Sequence, residues 1–154
     1  MAEPVSAKLR DLVFTLSPAQ LNVTPLPNGV WAGAMEFWVS DHWVSLVAII
    51  DGTTSLYFGS GGGIIGSGGH AAVRAAGAAF LQAMDEAVTD FSKASAHPLP
   101  RNGRIHFYAL TSDGVYASSE LAESDIARSQ LIAPLYAAAQ HLIAQIRLAN
   151  PKRG

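Results

Sequence analysis

Apolar residues recur along the chain with two different periods, and the changes of period mark out the elements. Leu9, Leu12, Val13 and Leu16 share one face of a predicted helix from Val5 to Leu16. Pro18, Pro25, Pro27 and Asn28-Gly29 then predict an irregular connection. Val30 to Ser40 and Trp43 to Ile50 read as strands, with a turn at Ser40-Asp41-His42. Asp51-Gly52 is the strongest hairpin signal in the chain and turns into a third strand, Thr53 to Phe58. The first two strands are apolar on both sides: Trp31, Met35, Phe37 and Val39 alternate with Val30, Ala32, Ala34 and Trp38. Such strands are covered on both faces, either by helices of the same chain or by a second subunit.

A glycine-rich connection, residues 59–69, leads into a long helix predicted from His70 to Ala94. Its inward stripe is Val73, Gly77, Phe80, Met84, Val88 and Phe91. A second hairpin follows Pro98 and Pro100. In its first strand, Arg104 to Leu110, residues Ile105, Phe107 and Ala109 face opposite to His106 and Tyr108, and Asp113-Gly114 turns into Val115 to Ser119. The last helix is predicted from Glu123 to Leu148, with Pro134 kinking it or marking its true start. The predicted class is α+β: one domain over residues 1–154, an antiparallel sheet of about five strands with flanking helices, element order α-β-β-β-α-β-β-α, and a short flexible tail at 149–154.

Composition changes this picture in one respect. Charged residues make up 14% of the 154 residues, against about 25% in ordinary domains. Much of the surface must therefore be alanine, glycine, serine or apolar, and some of it is expected to be buried against another copy or a client. An alanine-rich composition by itself gives the same number. The net charge of −2 and the scattered arginines give no basic stripe, so nucleic acid is not an expected partner. Residues 52–73 lack Asp, Glu, Lys and Arg, but their glycine content excludes a membrane helix. Met1 to Leu16 does not read as a signal peptide. The chain has no cysteine, which removes thiol chemistry and suits a cytoplasmic location.

Candidate chemistry is sparse. Gly61, Gly63 and Gly66 match G-x-G-x-x-G between a strand and a helix, and His70 stands at the helix start. Glycines ahead of a helix expose N–H groups to an anion. The preceding strand belongs to a hairpin, however, and the acids some twenty residues on, Asp85 and Glu86, fall inside a helix, so a dinucleotide fingerprint is not formed. The segment is a tightly curved connection, an anion site built from Gly61, Gly63, Gly66 and His70, or a lid. Trp31, Trp38 and Trp43, with Phe37, are expected in a sheet core or at a dimer face rather than as a stacking platform. The five histidines show no metal-ligand spacing, and Ser60, His70 and Asp51 match no serine-nucleophile motif. No cofactor, metal or catalytic residue is assigned.

The order helix, three antiparallel strands, helix, hairpin, helix resembles the class I type III secretion chaperones. The likeness runs from Val5–Leu16 through the Arg104–Ser119 hairpin to the stripe Leu131, Leu135, Leu142 and Ile146. It implies a small cytoplasmic homodimer that holds an unfolded client segment without catalysis. The Gly59–Gly69 insert, the longer second helix and the weak acidity depart from that pattern. The expectation is a non-enzymatic protein- or peptide-binding homodimer. The alternatives are a small anionic-ligand protein or enzyme using the glycine loop, and an immunity- or antitoxin-type protein.

Overall fold

A computed structural model describes residues 5–65 and 69–151. A single antiparallel sheet lies between two helical layers, which resolves the question of what covers the two apolar sheet faces: helices of the same chain lie on both. In chain order the elements are α1 (Val5–Val13), α2 (Pro18–Leu21), β1 (Val30–Val39), β2 (His42–Ile49), β3 (Thr54–Phe58), β4 (Gly63–Ile65), α3 (Ala71–Ala87), β5 (Ser92–Lys93), β6 (His106–Thr111), β7 (Gly114–Ala117), α4 (Glu123–Ile126) and α5 (Ile132–Ala149). The strand order across the sheet is β4-β3-β2-β1-β6-β7-β5.

The sheet thus has seven strands among the described residues, not about five. The two additions, β4 and β5, are its edges and are three and two residues long. Neither is long enough to show an alternating pattern, and only their partners define them: β4 pairs with β3, and β5 with β7. The predicted second helix accordingly stops early. Its α-helical part ends at Ala87, a 3₁₀ turn covers Val88–Asp90, and β5 follows. Pro134 falls in the first turn of α5, where its missing N–H costs nothing, so it marks a start and not a kink. The expected irregular stretch after α1 contains α2, held by a capping box between Ser17 and Gln20.

The larger core lies between the sheet and the pair α3/α5. It gathers Met35, Leu46, Leu56 and Phe107 from strands with Phe80, Met84, Leu135 and Leu142 from helices, all essentially buried. The smaller core, under α1 and α2, holds Trp31, Ala34, Val47, Tyr57 and Tyr108. A register shift between Val30 and Ala32 places Trp31 differently from the simple alternation. Val30 joins the α3/α5 side, while Trp31 points with Ala32 and Ala34 toward α1. An irregularity of one residue reverses the side-chain face of all that precedes it. Asp85 on α3 ties down the chain entering β1, since its carboxylate accepts from the Asn28 and Val30 N–H groups at 3.0 and 3.1 Å.

Gly77 lies inside α3, and a Cβ built there would meet only the Thr54 Cγ2, at 3.4 Å. Glycine lowers helix stability through its unfolded-state freedom. Gly77→Ala is therefore expected to raise the unfolding free energy by about 0.5–1 kcal/mol, read as a higher urea midpoint with an unchanged slope. A lower midpoint would show that the Thr54 contact leaves no room.

Candidate functional site

The glycine segment begins as a hairpin between β3 and β4. Two of its backbone N–H groups are engaged inside the chain: Gly59 donates to the Trp43 carbonyl at 2.7 Å, and Gly61 donates to the Phe58 carbonyl at 2.9 Å. Gly61 has φ of +117°, which makes the turn. A Cβ on Gly59 would come within 2.5 Å of the Trp43 ring, and one on Gly63 within 2.9 Å of the Leu56 carbonyl oxygen. The glycines at 59, 61 and 63 thus have local steric reasons. Gly66 lies outside the described residues. His70 is the exposed N-cap of α3, where its side chain makes no capping bond.

What the hairpin builds is the outer edge of the sheet. Ile64 turns into the α3/α5 core and is 3% exposed, whereas Ile65 is 61% exposed. The start of α1 approaches the same edge. Val5 and Leu9 face Tyr57, Gly61 and Ile65 across an apolar cleft of about 160 Å³. Val5 and Leu12 on α1 are themselves largely exposed. The edge strand reads Gly63-Ile64-Ile65, carries no charge or proline, and has Asn150 from the end of α5 beside it. The opposite edge, β5, reads Ser92-Lys93 and does carry such a charge.

The aromatic residues expected at an interface are placed mainly inside the chain. Trp31 is 2% exposed and Trp43 is 9% exposed, both in the core under α1. Trp38 is half-buried and donates from Nε1 to the Pro100 carbonyl at 2.7 Å. Phe37 is half-buried against the other core, where it lines a cleft with Val39 and Ile143. Of the two expected settings, sheet core and dimer face, Trp31 and Trp43 occupy the first, in the cluster that α1 and α2 cover.

A buried ion pair, not anticipated from the sequence, fastens α1 to the sheet. Arg10 Nε donates to Glu36 Oε2 at 2.7 Å and Nη2 to Oε1 at 2.6 Å, a two-pronged contact. Nη2 also donates to the His97 carbonyl at 2.6 Å. Burial opposes the Arg10 charge, but the hydrogen bonds and attraction of Glu36 outweigh it and hold the guanidinium pKa above its ordinary value. The Phe14 ring stacks on His97 at 4.3 Å and meets Tyr108 edge-on at 5.0 Å. Burial, with the Arg10 charge adding to it, holds the His97 pKa below its ordinary value. Tyr108 donates to the Pro98 carbonyl at 2.6 Å, and burial and the Glu36 charge raise its phenol pKa strongly. Arg10 and Glu36 are spent on each other, so the cluster acts as a clamp on α1 and not as an acid–base pair facing a substrate.

Among the described residues no three His, Asp or Glu side chains converge to hold a metal ion, and no helix is long and apolar enough to cross a membrane. No protein family, curated protein or solved structure matches the chain.

Proposed function

We propose that this domain is a non-enzymatic protein-binding module that forms a homodimer through the β4 edge. The observation that carries this reading is the apolar patch beside β4, where Ile65 is 61% and Val5 67% exposed on either side of one cleft. Two copies meeting across a twofold axis bring each Ile65 toward the other copy's Val5 and Leu9 and cover both patches. The low charge fraction of the chain supports the same reading. An anion-binding glycine loop is less well supported, because the Gly59 and Gly61 N–H groups are already bonded.

Light scattering behind size exclusion tests the proposal. The unmodified chain is expected to run as a dimer, and Ile65→Lys as a monomer with an unchanged circular dichroism spectrum. A monomeric unmodified chain, or a dimer that survives Ile65→Lys, would overturn self-pairing. A monomer that instead copurifies with an extended peptide, released by the same substitution, would assign the edge to a client.

A further inference from the structure

A cavity lies where α3 passes over the β2–β3 turn. Positions 74, 77, 78, 81 and 82 of the helix recur at three- and four-residue steps and so share the face that crosses the turn. Gly77 and Ala78 stand in the middle of that face and fill little of the space beneath it. The space left is about 210 Å³. That exceeds the roughly 150 Å³ of an engineered apolar cavity that holds benzene, so a six-membered ring fits.

The lining decides which molecules suit it. Leu26, Ile49, Ile50 and Leu81 make the walls apolar. The Thr54 methyl adds to them, since a Cβ on Gly77 would meet Thr54 Cγ2 at 3.4 Å. Arg74 and Gln82 are the exposed polar residues of the lining. Arg74 is its single charged residue and already has an interaction within the molecule. Its charge therefore repels a cation, and an anion finds no charged group dedicated to it. A charge taken out of water without a partner is strongly disfavoured. Gln82 differs, because a neutral carboxamide both donates and accepts and suits a neutral polar head.

We propose that this cavity binds a small neutral molecule, with a ring or branched alkyl body between α3 and the β2–β3 turn and a hydroxyl or amide head at Gln82. Recognition rests on the apolar walls and the carboxamide, and it draws nothing from the homodimer reading. The sheet edge is nevertheless close along the chain, because Ser55, next to Thr54, pairs with Ile65. The blocking substitution is therefore placed on α3 and not on β3.

Benzyl alcohol and benzoate share a ring and differ in charge, and amide chemical-shift titration of the full chain with each tests the proposal. Benzyl alcohol is expected to saturate shifts at Ile50, Gly52, Ala78 and Gln82 with a Kd on the order of 1 mM. Benzoate is expected to bind the same residues about fivefold more weakly. Ala78→Leu fills the space with a good helix former. It is expected to abolish the titration while the rest of the spectrum and the solution mass are retained. Absence of saturable shifts at about 10 mM benzyl alcohol, or a titration that persists in Ala78→Leu, would overturn the site. Benzoate binding as tightly as benzyl alcohol would overturn the preference for a neutral ligand.

Discussion

Glu36→Gln is expected to lower the unfolding free energy by about 3–5 kcal/mol, because it leaves the Arg10 charge buried without its partner. Stability of a whole domain is about 5–15 kcal/mol, so the loss should bring urea unfolding close to native conditions. The size follows from the surroundings. The Glu36 side chain is fully buried and that of Arg10 is 8% exposed, so water cannot replace either partner. A surface ion pair, by contrast, is worth about 0–1 kcal/mol. Arg10→Met should cost a similar amount, now through the stranded carboxylate. The double variant Arg10→Met, Glu36→Leu is expected to recover most of the loss, since apolar groups of similar shape replace a buried pair at little cost. Urea curves for the two single variants and the double variant close the cycle. Single losses under about 1 kcal/mol would mean that water reaches the pair, and α1 would then be a loosely held arm.

That ion pair also shows why part of this molecule is legible in the sequence and part is not. The two hairpin turns at Asp51-Gly52 and Asp113-Gly114 are local chemistry, and both glycines take positive φ, at +99° and +118°. The stripe from Val73 to Phe91 and the alternation from Ile105 to Tyr108 reappear as buried faces, because period alone decides them. The inward face of α1 is different. Of the predicted stripe Leu9, Leu12, Val13 and Leu16, Val13 is buried and Leu9 and Leu16 pack against the smaller core, but Leu12 is 56% exposed while Ser6 and Arg10 are buried. Arg10 is drawn into the inward face beside that stripe by one long-range contact, to Glu36. The signal for it was present: Glu36 is the single charged residue between Val30 and Val39, and an acid buried in an apolar strand requires a cation. Its partner could not be chosen from spacing, since 26 residues separate Arg10 from Glu36. The edge strands were illegible for a related reason. Gly63-Ile64-Ile65 acquires its conformation by pairing with Ser55, Leu56 and Tyr57, and nothing in three residues announces a partner.

The glycine hairpin that carries this edge gives the second large effect. Gly59→Val is expected to destabilise the chain by about 3 kcal/mol, the cost of overpacking a half-buried position closed by the Trp43 ring. Any Cβ at Gly59 would lie 2.5 to 2.9 Å from three atoms of the Trp43 ring. That indole is 9% exposed in the smaller core, packed as closely as other interior side chains. The backbone cannot withdraw either, because the Gly59 N–H is bonded to the Trp43 carbonyl itself. Neighbouring glycines provide a scale. Gly62 has open space where a Cβ would stand and no positive φ, so Gly62→Ala should change stability by less than about 0.5 kcal/mol. Gly61 also has open space but φ of +117°, so Gly61→Ala should cost about 1–3 kcal/mol through backbone strain alone. The ranking Gly59, Gly61, Gly62 in urea midpoints is the expected result, and trimming the ring with Trp43→Leu should relieve part of the Gly59→Val loss. Equal costs at all three glycines would contradict the steric account and favour a role shared by the whole loop. Because Gly59 seats the hairpin that presents Ile65, Gly59→Val should also shift the solution mass toward monomer. Gly62→Ala leaves the edge in place and should leave that mass unchanged.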